Sequence, residues 1–245
     1  IASVTFLGED IFNAKVFNLP WSSLEEVKCE TKEIETPLKK AVVTLAIGNK
    51  HEEMQNISHP TMRAYAKKVG ADFVVIKDIR LRMTSLLLEK WQMFDLLFEY
   101  DRILFLDTDI LVAPDCPNLF NLVPLDRVGA FAESDYKDCK QWILDIQEQL
   151  GNIGWEGEYL NSGVGVYSYI HRAIFDRTQP YVVPGDQHTY NYRIKQMGFK
   201  VFPLSINFNH MELCSIDHLS SYLIHYAGSG FTGIDCSETE RLFAA

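Results

Sequence analysis

No apolar run in this chain approaches the roughly 20 residues that a membrane-spanning helix needs, so no span is read from the sequence. No C-x-x-C pair occurs among the five cysteines, Cys29, Cys116, Cys139, Cys214 and Cys236, which are odd in number and widely scattered. That spacing argues against a zinc site or a dense disulfide framework. Reduced, mostly structural thiols are expected, which tilts the compartment slightly toward the cytoplasm. Basic charge is the minority: 23 Lys and Arg stand against 33 Asp and Glu, a net charge of −10. An acidic surface repels phosphate backbones and anionic lipid, so neither nucleic acid nor a membrane surface is expected as a partner. Internal repeats, low-complexity tracts and flexible linkers are also missing. The first residue is Ile1, not Met, so the chain is expected to have been trimmed, with the removal of a targeting or anchoring segment left open.

What remains is a 245-residue chain of ordinary globular composition, enough for one α/β core. Residues 1–36 carry the charged run SSLEEVKCETKEIET and lack the apolar mass for a core of their own. They read as an N-terminal extension or peripheral element before a domain spanning 37–245. From Ala41 strands and helices alternate. AVVTLAI (41–47) and ADFVVIKD (71–78) read as strands around a helix from Glu52 to Val69, with a start or kink at His59-Pro60. Leu87, Trp91, Phe94 and Phe98 recur at helical spacing and predict one helix over 85–99 with that face inward. RILFLD (102–107) and VGAFAE (128–133) are further strands, and 138–151 and 185–198 further helices. YLNSGVGVYS (159–168) reads as a glycine turn feeding a strand, and VFPL and SYLIHY as late strands. This rhythm indicates βαβ units and a mostly parallel sheet.

RILFLDTDILV is the most telling stretch. A buried strand holds its end rigidly, so Asp107 and Asp109 cannot swing apart, and two fixed like charges repel unless something neutralises them. A hard divalent cation does so, with carboxylate oxygens as its preferred ligands. In parallel sheets ligands collect at the carboxyl ends of strands, where both aspartates and the GNKH turn fall.

Four motifs in order, LFLDTDILV, YLNSGVGVYS, DQHTYN and HYAGSG, resemble those of GT-A glycosyltransferases. The likeness is to the glycogenin-like group that includes bacterial lipopolysaccharide glycosyltransferases (glycosyltransferase family 8), over about residues 41–231. The resemblance implies a GT-A type α/β fold and transfer of a sugar from a nucleotide sugar, a UDP-sugar by preference, to a hydroxyl acceptor with retention. Asp107, Asp109 and His225 would hold Mn²⁺ or Mg²⁺, the imidazole favouring Mn²⁺. Thr44, Ala46, Asn49, Thr108 and Gly228 would contact the donor, and Lys90 its diphosphate. Glu133, where the family commonly carries Asp, would bind the donor sugar's hydroxyls. Asn161 and Ser162 would contact the sugar or acceptor, and Asp186 and Gln187 would flank the anomeric carbon.

The family's H-x-x-G-x-x-K continues here as HYAGSGFTG, without the lysine. The amides of Ala227–Gly230, or Lys90, would then carry more of the phosphate's charge. Trp142, Trp155, Tyr159 and Tyr167 lie toward the acceptor side as stacking surfaces, with core packing expected of at least half. Three other readings stay open: an inverting transferase with Asp186 as base, a sugar-nucleotide-binding module without transfer, and a haloacid-dehalogenase-like phosphatase. For the phosphatase, Asn191 stands where a second acid is needed.

Overall fold

The computed structural model describes residues 37–48, 52–182, 185–211, 214 and 220–227. The N-terminal extension, Asn49, Gly228, Cys29 and Cys236 lie outside them. Strand β1 (Lys40–Leu45) shows why the chain becomes a three-layer molecule: its alternate residues are buried on opposite faces. Ala41 and Val43 join one apolar cluster, and Val42 joins the other. In β3 (Arg102–Leu106) all five residues are buried, with Ile103 and Phe105 on the first face and Leu104 and Leu106 on the second. Burying a side chain of this size contributes about 1.5–3 kcal/mol, so β3 is anchored from both sides.

The first face is covered by α2 (Met93–Glu99) and α5 (Asp186–Gln196), through Met93, Leu97, Tyr190 and Ile194. The second is covered by α1 (Glu52–Val69) and the short α3 (Leu119–Leu122), through Met62, Tyr65, Leu119 and Phe120. Helix α1 runs unbroken through Pro60. It stops at Gly70, whose φ of +65° suits glycine, with Ala71 N–H donating to the Ala66 carbonyl at 2.9 Å. A third cluster joins α4 (Lys140–Leu150) to Trp155, Tyr159 and Tyr192.

The main sheet has the order β2-β1-β3-β6-β5-β7, with β2 at Asp72–Ile76, β5 at Arg127–Ala132, β6 at Leu160–Ser168 and β7 at Lys200–Pro203. Only β6 runs against the rest. The mostly parallel α/β sheet expected from the sequence is therefore present. A second sheet, β4-β9-β8, pairs β4 (Ile110–Val112) with β9 (Leu223–His225) and β9 with β8 (His210–Met211).

Two local expectations are corrected. Residues 85–99 are not one helix: a 3₁₀ segment, Leu86–Gln92, precedes α2. Leu87 and Phe98 are exposed, while Leu88, Glu89, Lys90, Trp91 and Gln92 point inward. The other correction concerns Asn161-Ser162-Gly163, which lies inside β6 instead of forming a turn before it. There the register with β5 jumps from Ala130↔Gly165 to Phe131↔Asn161, and the strand bulges.

Candidate active site

The carboxyl ends of β3 and β5 and the bulge of β6 meet at one edge of the main sheet. Asp107 leaves β3 with its N–H donating to the Gly163 carbonyl at 2.8 Å, so the ladder continues one residue past the strand. Asp109 leads into β4, whose antiparallel pairing sets Ile110 opposite His225. Tyr226 N–H closes that ladder on the Asp109 carbonyl at 3.0 Å. Two backbone ladders thus bring residues 116 positions apart in the chain to one point.

His225 Nε2 stands 3.3 Å from Asp109 Oδ1 and 4.0 Å from Asp107 Oδ2. One ligand atom from each of the three residues lies within 4.8 Å of the others. Ligands about 2.1 Å from an octahedral ion stand about 3–4 Å apart, so the set is near coordination spacing. Asp109 Oδ1 is buried and, among the described residues, makes no regular hydrogen bond; its near neighbour is His225 Nε2. Burial raises the pKa of Asp107, Lys90 pulls it down, and Asp109 pushes it up again, with a net rise. For His225, burial lowers the pKa, but the Asp109 contact and the charges of Asp109 and Asp107 raise it overall. The donor set fits a divalent cation that tolerates two carboxylates and an imidazole.

The tautomer of His225 follows from a relay that starts at Glu133. That carboxylate only accepts, so Asn161 turns its Nδ2 to Glu133 Oε2 at 3.0 Å. Asn161 Oδ1 then accepts from Asn209 Nδ2 at 2.9 Å, and Asn209 Oδ1 faces His225 Nδ1 at 2.7 Å. His225 then donates from Nδ1, so in its neutral form Nε2 turns a lone pair toward the aspartates, the arrangement a metal requires.

Lys90 is the hub of the site. Its Nζ lies 2.6 Å from Asp186 Oδ2, 3.2 Å from Asp107 Oδ1, and donates to the Ser162 carbonyl at 3.2 Å and Oγ at 3.3 Å. Burial works against its charge, but Asp107 and Asp186 outweigh this and raise its pKa above the ordinary lysine value. Ser162 Oγ donates to Asp186 Oδ2 at 3.0 Å, and Ser162 N–H donates to Gln187 Oε1 at 3.0 Å. Gln187 Nε2 reaches Glu133 Oε2 at 3.0 Å. Lys90, Asp107, Asp109, Glu133, Asn161, Ser162, Asp186, Gln187 and His225 therefore form one contiguous network.

Among the remaining expected residues, Thr108 is buried and its hydroxyl faces His59 Nε2 at 3.3 Å. Thr44 and Ala46 are buried at the end of β1, and the Thr44 hydroxyl has no hydrogen-bond partner among the described residues. Trp155, Tyr159 and Tyr167 are core residues, whereas Trp142 is half-buried beneath the Lys137 ammonium, 4.1 Å from its ring centre. Sequence reasoning missed His59 and Asn209. Neither stands in a motif, and only the β8–β9 pairing and the path of α1 bring them in.

No family model matches the sequence, and no curated protein matches it. Solved structures do match the fold. A glycosyltransferase involved in glycosylation of the major capsid of PBCV-1 matches 84% of this chain and 100% of its own, at TM-score 0.57 and 13% identity. The bifunctional glycosyltransferase WbbM matches 84% of this chain and 50% of its own, at TM-score 0.56 and 13% identity. The fold is that of a GT-A glycosyltransferase. Mouse xyloside xylosyltransferase 1 matches as well, over 79% of this chain and 99% of its own, at TM-score 0.50 and 10% identity. At such identities the likeness carries the GT-A fold, and the chemistry has to be argued from the side chains.

Proposed function

We propose that this chain is a metal-dependent glycosyltransferase of the family 8 type, moving a sugar from a nucleotide sugar, UDP-linked by preference, to a hydroxyl acceptor. The observation that carries the reading is Lys90 joined to both Asp107 and Asp186 beside the Asp107–Asp109–His225 cluster. Asp107 and Asp186 hold the Lys90 ammonium while Asp109 stands against His225, and three carboxylates against one ammonium leave two negative charges in excess. A divalent cation cancels them, and Mn²⁺ suits the mixed oxygen and nitrogen set. When bound, the ion supplies Lewis acidity toward the donor's diphosphate. Lys90, fixed by four contacts, adds a cation that needs no reorganisation as charge grows on the leaving phosphate.

Asp186 bears on stereochemistry. Its Oδ2 already accepts from the Lys90 ammonium and the Ser162 hydroxyl, so it is held as a positioning and stabilising carboxylate and is a poor general base. Retention fits this better than inversion. The bond from the anomeric carbon to phosphate oxygen breaks, the acceptor oxygen bonds on the same face, and the departing phosphate takes the acceptor's proton. Glu133, Asn161 and Gln187 would orient the sugar's hydroxyls, and Thr44, Ala46, Asn49, Thr108 and Gly228 would line the nucleotide's side.

A screen of nucleotide sugars for donor hydrolysis, with Mn²⁺ and with EDTA, tests the reading. Turnover of at least one donor is expected, lost in EDTA. In Asp109→Ala it should fall by about a hundredfold or more while the far-ultraviolet circular dichroism stays unchanged. Turnover indifferent to EDTA and to Asp109→Ala would overturn it.

A further inference from the structure

Next to Lys90 in the same 3₁₀ segment stands a second buried charge, Glu89, 1% exposed. The two are neighbours of opposite sign, yet each is satisfied elsewhere. Lys90 turns to Asp107, Asp186 and Ser162, while Glu89 turns to the loop that follows β2. Its carboxylate accepts the N–H groups of Arg80 at 3.0 Å, Leu81 at 3.0 Å and Arg82 at 2.9 Å, and Gln92 Nε2 at 2.8 Å. Three consecutive amides converging on one anion is the geometry by which backbone nests hold phosphate, filled here by the protein's own carboxylate. Gln92 Nε2 also donates to the Asp78 carbonyl at 2.8 Å. Arg82 sits at φ +51°, a left-handed conformation that a non-glycine residue keeps only where its surroundings hold it.

The place of this loop gives the clamp its meaning. Strands β1 and β2 run parallel with Leu45 opposite Ile76, and Ala46 N–H continues the ladder to the Ile76 carbonyl at 2.9 Å. The loop after β2 therefore leaves the sheet beside Thr44 and Ala46, the side proposed for the nucleoside. A neutral side chain would anchor a loop at far less desolvation cost than a buried carboxylate. What the carboxylate adds is stiffness between two walls. We propose that Glu89 is a positioning residue for nucleotide binding, locking the Asp78–Arg82 loop and the Lys90 segment into one piece, so that the nucleoside wall and the diphosphate cation keep a fixed separation. The ligand class is a nucleoside diphosphate with its divalent cation, and the inference rests on the nucleotide-sugar reading above.

Glu89→Gln keeps the shape and removes the charge. In the full chain, amide hydrogen exchange at residues 80–82 should quicken by about a hundredfold. Affinity for UDP with Mn²⁺, or for whichever of UDP, GDP, ADP and CDP the wild type binds, should fall about tenfold by calorimetry. Mn²⁺ alone should bind within about twofold of wild type, and donor KM should rise with kcat nearly constant. Gln92→Met, which frees the Asp78 carbonyl but leaves the amide nest filled, should give a smaller loss in the same direction and serves if Glu89→Gln fails to fold. Faster exchange with unchanged nucleotide affinity would make Glu89 a plain loop staple and overturn the proposal. So would a matching loss of Mn²⁺ affinity. A wild-type chain that binds no nucleoside diphosphate with Mn²⁺ overturns the reading beneath, a result seen before any variant is made.

Discussion

Gly163 carries no side chain at the one point where a side chain would strike two of the proposed metal ligands. A Cβ there would lie 2.8 Å from Asp107 Oδ2 and closer still to His225 Cε1. Neither group can retreat freely, because Asp107 is held by Lys90 and His225 by Asn209. Gly163→Ala should therefore act on the metal site before the fold, since strand backbone accepts alanine readily. Mn²⁺ affinity, read by electron paramagnetic resonance, should fall about tenfold to a hundredfold. Overpacking should lower stability by about 1–3 kcal/mol in chemical denaturation. A variant that keeps wild-type Mn²⁺ affinity would show that the three ligands do not converge beside Gly163. The same residue shows what a single sequence reveals. N-S-G was legible as a motif, but the collision that makes glycine necessary appears only when β6 lies between β3 and β5.

At the scale of elements, the strands were the most legible part of the chain and the 85–99 segment the least. β1, β3 and β5 are buried on both sides, so their apolar runs carry no ambiguity about which face turns inward. The segment before α2 reverses that logic: it buries Glu89, Lys90 and Gln92 and exposes Leu87, because its inward face builds a polar site. Strand β8 is two residues long, too short for any period, so Asn209 beside it left no trace in the sequence. Helix α1 supplies a prediction of its own. His59, facing Thr108, Phe73, Lys77 and Arg63, has its pKa lowered to about 4, first by burial and then by the two cations. Its unfolded value is near 6.5, so between these values the unfolded chain binds the extra proton. Its contribution to stability is complete above pH 6.5 and is lost as pH falls toward 4. Buried His171, also lowered to about 4, acts in the same window. The carboxylate of Glu89 is held below its ordinary 4.5 by its hydrogen bonds, against the effect of burial, and acts only at lower pH. His188, also lowered by burial, adds to the same acid loss, so His59→Gln should remove a part of it, roughly a third, from the fall in thermal midpoint between pH 6.5 and 4. An unchanged slope would place that acid sensitivity elsewhere.

For the molecule as a whole, the order of assembly follows from charge. The chain carries −10, and the four central groups of the site, Asp107, Asp109, Asp186 and Lys90, add up to two unbalanced negative charges in the same place. A nucleoside diphosphate approaching without metal meets repulsion both at long range and at the site. Metal alone meets an attractive site, but three protein ligands would leave half of an octahedral sphere to water. Each needs the other, so their effects on stability should exceed the sum of the two taken singly. With the Mn²⁺–UDP pair, taken as one ligand, at a hundredfold excess over its dissociation constant the gain is about 2.7 kcal/mol, which for a domain of this size raises the melting temperature by about 5–10 °C. UDP alone should shift it by less than about 1 °C, because repulsion keeps it off the site. Thermal melts with UDP, with Mn²⁺, with both, and with both plus EDTA separate these cases. A full shift with UDP in EDTA would mean that the cation is dispensable, and that Lys90 and the backbone amides hold the diphosphate unaided. That outcome would remove the Asp107–Asp109–His225 cluster from nucleotide binding altogether.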